Sequence, residues 1–98
     1  MPTYLALHKQ TQKGAENVRD SPETLAEAKE LATSMDCRVK DFFLTNGRYD
    51  AAVVVEAPDE LTAKRLAMAV TSKGTVTTEF ARAFTEDKHS EIIAGLPE

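Results

Sequence analysis

Four side chains in this sequence have types and positions that could do chemistry: Tyr4, His8, Tyr49 and Asp50. Asp50 leads straight into Ala51-Ala52-Val53-Val54-Val55, a run with no polar alternation. A carboxylate buried at the mouth of such a strand must be paired, hydrogen-bonded or protonated. It could act as a general base or anchor a ligand. It could equally be structural, accepting backbone N–H groups at a hairpin or pairing with Arg48 or Arg82. Tyr49 and Asp50 are strand neighbours, so they point to opposite faces and share a site only if a bulge intervenes. His8 has the strand parity of Tyr4 and Ala6. It could shuttle a proton or ligate a metal, or be a partly solvated histidine at a strand end. Tyr4 and Tyr49 could lend polarity to a cavity wall.

The remaining chemistry-bearing residues are less suggestive. His89 lies among Glu86, Asp87, Lys88 and Ser90 and reads as solvated. Cys37 has no base beside it and reads as a small packed thiol. Glu79 and Arg82 have opposite parity, and either could neutralise a buried charge or rim an interface. Two histidines and one cysteine at no ligand spacing give no expectation of a metal or other cofactor, an axial haem role for His8 being the weakest of its readings. No glycine-rich phosphate loop or nucleophile motif is present.

Local signals set the elements that must position these residues. Thr3 to Lys9 alternates as a strand, with Leu5 and Leu7 on one parity. The leucines are expected to face the helices, which sends His8 to the other side of the sheet. The polar stretch Gln10 to Asp20 is a candidate functional loop with a short helical turn around Ala15 to Val18. Ser21-Pro22-Glu23 reads as cap, first helical position and dipole complement, opening a helix whose apolar stripe is Leu25, Ala28, Leu31, Ala32 and Met35. Cys37 to Thr45 and Arg48 to Glu56 are strands joined by Asn46-Gly47 as a type I′ turn. That turn sets Thr45 against Arg48, Leu44 against Tyr49 and Phe43 against Asp50. Pro58-Asp59-Glu60 opens a second helix bearing Ala63, Leu66, Ala67 and Val70, which Gly74 ends. Thr75 to Phe84 is a fourth strand. Thr85 then caps a tail helix containing Ile92 and Ile93. The order β-α-β-β-α-β is the ferredoxin-like plan, α+β with an antiparallel sheet, followed by a C-terminal helix, and residues 1–98 are read as one domain.

The third strand is central in this plan and apolar on both parities. Helices can cover only one face. Leaving four or five such side chains wet on the other forfeits roughly 1.5–3 kcal/mol each. A second copy of the chain is the expected cover, in a homodimer with facing sheets or a higher oligomer. The competing arrangement folds the tail helix over that face through Ile92, Ile93 and Leu96. Composition fits a soluble protein, with 42% hydrophobic and 29% charged residues and a net charge of −4. Basic residues are scattered, which argues against nucleic acid. No apolar run approaches a membrane span, and the N-terminus has no signal-peptide pattern. The single cysteine fits a reducing compartment, so the cytoplasm is expected.

Several separated stretches occur together in order: Tyr4, Ser21-Pro22, Asp41-Phe42-Phe43-Leu44-Thr45, Gly47-Arg48-Tyr49-Asp50, Val55-Glu56-Ala57-Pro58-Asp59, Arg82-Ala83-Phe84-Thr85 and Ile92-Ile93-Ala94-Gly95-Leu96. In this set the chain resembles the GYD-domain proteins, small bacterial proteins whose family name records a motif rather than a role. The resemblance spans essentially the whole chain. It implies a dimeric α+β barrel with paired sheets and room for a cavity. The wider relatives of that architecture include cofactor-free monooxygenases, isomerases, haem-dependent enzymes and amino-acid-sensing domains. It carries no catalytic residue over to this sequence.

Three functions are therefore open. The first is small-molecule binding in a cavity by the sheet, with His8, Tyr4, Tyr49 or Asp50 supplying polarity. The second is a cofactor-free oxygenase or isomerase acting on a small carbonyl compound, with His8 or Asp50 as base. The third is an assembly or interaction protein with no pocket.

Overall fold

The computed structural model describes residues 1–98. The strands are β1 (Thr3–Gln10), β2 (Arg38–Leu44), β3 (Ala51–Glu56) and β4 (Val76–Ala83). The helices are α1 (Gln12–Glu16), α2 (Ser21–Ser34), α3 (Glu60–Thr71) and α4 (Glu86–Ala94), with one 3-10 turn at Val18–Asp20. The sheet order is β2-β3-β1-β4 with every pairing antiparallel. This is the ferredoxin-like arrangement, and β1 and β3 are central.

The face under α2 and α3 is the reverse of the one expected for β1. Tyr4 and Ala6 are buried with Ala51, Val53 and Val55 against Ala32, Ala63 and Leu66. Leu5 and Leu7 sit on the open face beside Val54 and Ala52, their register partners. The physical reason lies in β3. Its larger valine pair, Val53 and Val55, goes under the helices, and register then carries Ala6 and Tyr4 to the same side. His8 follows them to the helix side, not to the open face.

A bulge in β2 sets the faces of its two aromatic residues, Phe42 and Phe43. Val39 pairs with Val55 and Asp41 with Val54, so Lys40 is an extra residue. The bulge lets Val39 and Phe42 share the helix side although their numbers differ in parity, and it sends Phe43 to the open side.

The hairpin is longer than Asn46-Gly47 alone. Leu44 pairs with Ala51, and the Thr45 N–H donates to the Asp50 carbonyl at 3.0 Å. The pairing is therefore two residues displaced from the expected register, and β3 begins at Ala51. Among Asn46 to Tyr49 only Gly47 has positive φ, at 102°, so a type I′ turn is excluded. The Asp50 N–H donates to the His8 carbonyl at 2.8 Å, which ties the end of the hairpin to β1. The helix start is also corrected. Asp20 occupies the cap position of α2, Ser21 is already helical, and no side chain caps the helix. Asp59 does cap α3, its carboxylate accepting the Thr62 N–H at 2.7 Å.

The helix layer is thin. Only 11 of 98 residues are buried, and most of the buried side chains are alanine, valine or smaller. The short dimension of the chain is 18 Å, room for one sheet and one helix layer. The tail helix does not cover the open face: every residue from Thr85 onward is exposed, including Ile92, Ile93 and Leu96. Phe43 on that face is 56% exposed. No helix is long and apolar enough to cross a membrane.

Candidate functional site

Small residues on two helices make the site. α2 presents Ala28 and Ala32 toward the sheet, and α3 presents Ala67 beside Leu66 and Val70. Alanine reaches less far than the helix-to-sheet spacing requires, so a gap stays open above Ala6, Ala51, Val53 and Phe80. The result is a cavity of about 260 Å³ between the helices and the sheet. Gly14, Asn17 and Val18 from the α1 segment line one end. That segment is pinned across to the β4 side, with the Thr11 N–H donating to the Thr75 carbonyl at 3.0 Å and the Thr11 hydroxyl to the Gly74 carbonyl at 2.6 Å. Gly14 is required there: a Cβ at this position would come within 2.2 Å of the Thr75 carbonyl oxygen.

Asn17, Ser21, Thr24 and Thr75 are polar lining residues, and His8, Thr78 and Asp50 add a polar group at the hairpin end. His8 Nδ1 lies 2.7 Å from Thr78 Oγ1, its cross-strand partner on β4. Burial in this mostly apolar wall holds the imidazole below its usual pKa of 6.5, so the neutral ring is favoured. Asp50 sits at the mouth and is exposed, not buried as its sequence context suggested. Its carboxylate accepts the Gln10 N–H at 2.6 Å. It forms no ion pair with Arg48 or Arg82, and the backbone-accepting role is the one the geometry supports.

The other two candidates lie elsewhere. Tyr49 and Asp50 do diverge: the Tyr49 hydroxyl donates to Glu79 Oε2 at 2.6 Å, and Glu79 pairs in register with Leu7 of the open-face set. That hydrogen bond, before burial, pushes the Tyr49 phenol above its usual range. Tyr4 is four residues from His8 along β1, about 13 Å away. Its ring stacks on Phe80 with centroids 5.2 Å apart, and the Arg82 guanidinium lies 5.7 Å from its centre. A small cleft there is lined by Tyr4, Glu60, Lys64, Phe80 and Arg82. The Tyr4 hydroxyl is enclosed and has no hydrogen-bond partner. Burial is the main cause raising its pKa.

The structure thus brings His8 and Asp50 to one cavity and leaves Tyr4 and Tyr49 outside it. Thr78 and Gln10, their direct partners, gave no sequence signal. The alanines did: small residues at Ala28, Ala32 and Ala67 on two helix faces are what a void beneath them requires. No three His, Cys, Asp or Glu side chains cluster in a way that could hold a metal ion. No carboxylate hydrogen-bonds His8, so a base at this site would be oriented by a hydroxyl alone.

Comparison with known proteins agrees with this architecture. A family model described as the GYD domain matches residues 4–93. A Thermus thermophilus protein named glutamine synthetase and cystathionine beta-lyase binding protein is 37% identical over 79 residues, spanning 80% of this chain and 83% of that protein. Among solved structures, the crystal structure of an FFRP chain superposes with a TM-score of 0.59 at 20% identity, covering 86% of this chain and 100% of that one. That last likeness is one of fold.

Proposed function

This chain belongs to the GYD-domain family, and from that premise we propose that it is a dimeric binding protein that takes a small molecule into the cavity between its helices and sheet. The observation that carries the reading is the cavity itself: about 260 Å³, mostly apolar, with His8, Thr78 and Asp50 among a small number of polar side chains in its wall. Ligand sites have this character, apolar walls with a few convergent polar groups. The volume lies just below the usual range of roughly 300–1,000 Å³, which limits the ligand to a small one. Catalysis is less well supported, because His8 has only Thr78 to orient it and no carboxylate hydrogen-bonds its ring.

The dimer rests on the open face. Leu5, Leu7, Ala52, Val54 and Phe43 form an apolar surface that no element of the same chain covers. Pairing two such sheets shields both at once. Native mass spectrometry of the purified protein tests both halves of the proposal. The expected spectrum is a dimer carrying extra mass, or accepting it from added ligand, that denaturation removes. A monomer at micromolar concentration would contradict the paired sheets.

A second reading comes from the Thermus thermophilus relative, whose name states that it binds two enzymes. By that likeness this chain would bind an enzyme as well, and the exposed Phe43 and Leu44 at the β2 edge favour it. Co-purification with glutamine synthetase from the same cell, lost on Phe43→Ser, is the expected result; its absence would remove this reading and leave the cavity untouched.

A further inference from the structure

The cavity proposed above as a ligand site also carries a charge preference, and we infer that it selects a small apolar molecule with an uncharged or cationic head and rejects anions. Its wall contains no lysine and no arginine. The only carboxylate in the wall is Asp50, at the mouth, and the histidine beside it is His8. An anionic head would therefore lose its water without gaining a cationic partner, and it would meet the Asp50 charge. His8 does not change this balance, since burial favours its neutral form.

One feature of the wall works in the opposite sense. The first residue of α2, Ser21, lines the cavity, and a helix N-terminus attracts negative charge. Carboxylates of the same chain stand at that end, Asp20 at the cap position without a capping hydrogen bond and Glu23 in the first turn, and their charge offsets the dipole. The net charge of −4 adds a field of the same sign. A neutral hydroxyl can instead exchange hydrogen bonds with the free ring nitrogen of His8, because Nδ1 alone is engaged by Thr78. An ammonium can also meet Asp50, whose Oδ2 alone is taken by Gln10.

Octanol, octylamine and octanoate share one apolar body and differ in head charge, so titration calorimetry of the full chain with the three separates the possibilities. Octanol and octylamine are expected to bind, and octanoate at least about tenfold more weakly, the ratio that 1.4 kcal/mol of unfavourable head-group transfer produces. Asp50→Asn is expected to weaken octylamine severalfold and to spare octanol. Should that variant fold poorly, added salt replaces it, lowering octylamine affinity and leaving octanol affinity unchanged. Octanoate binding as tightly as octanol overturns the charge preference and leaves the cavity reading standing. Failure of all three to bind overturns the cavity reading, and the preference with it.

Discussion

His8 Nδ1 and Thr78 Oγ1 stand 2.7 Å apart, on residues that face each other across the β1–β4 pair. The contact anchors the histidine ring of the cavity wall at the hairpin end of the sheet. Its position decides how the protein responds to acid. The folded-state pKa of His8 is lowered by burial from 6.5, so protonation is harder folded than unfolded. Stability from this group is complete above 6.5 and is lost as pH falls from there through the folded value. Thermal unfolding midpoints of the wild type are therefore expected to drop over that window more steeply than those of His8→Gln. Parallel curves would show that the ring is solvated.

The buried Tyr4 hydroxyl has no partner. An unsatisfied polar atom in a low-dielectric site costs about 1–3 kcal/mol. Tyr4→Phe keeps the ring stacked on Phe80 and removes that atom. Urea unfolding is expected to show the variant more stable by about 1 kcal/mol. A loss of similar size would mean the hydroxyl finds a hydrogen bond in solution.

Both tyrosines are held above their usual pKa of 10.0, Tyr4 chiefly by burial and Tyr49 chiefly by its bond to Glu79. With two tyrosines and no tryptophan, the phenolate absorbance of the chain reports only these two. Titration to alkaline pH should show both ionising late, and Glu79→Gln should bring one of them down. Because the folded values are raised, stability from these groups is present below 10.0 and is lost as pH rises through the folded values. Unchanged curves for Glu79→Gln would place Tyr49 away from that carboxylate.

Val54 and Leu5 are register partners in the centre of the open face. Val54→Lys puts a charge where the second sheet would lie, and an unpaired charge there costs far more than the lost methyl contacts. Sedimentation should show the variant as a monomer whose secondary structure is retained. A variant that stays dimeric would move the interface to another surface, with the exposed tail helix the next to test.

The sequence made the architecture legible because its signals were local. Asp59 ahead of an apolar-periodic stretch, Gly74 at its end and the alternation of Thr3 to Lys9 each state an element without reference to the rest of the chain. The facing of the sheet was not legible, because both parities of β1 and β3 are apolar. Leucine outranks alanine in hydrophobicity, which suggested Leu5 and Leu7 for the helix side. Register with Val53 and Val55 decided otherwise. The hairpin register was not legible for a related reason. Asn46-Gly47 is a strong local turn signal, but β1 competes for Asp50 through the His8 carbonyl and the Gln10 N–H, and those tertiary bonds set where β3 begins. Of the candidate site, His8 and Asp50 were found from residue type. That they meet at one cavity depended on the corrected facing.

Methyl NMR of the protein titrated with octanol, beside Ala67→Leu, tests the cavity most directly. Ala67 lines the space, and a leucine there fills part of it. The expected result is a set of shifts at Val53, Leu66 and Val70, with Leu5, Leu7 and Val54 unmoved and the response lost in Ala67→Leu. Shifts on the open-face methyls, or an unchanged response in Ala67→Leu, would contradict the account.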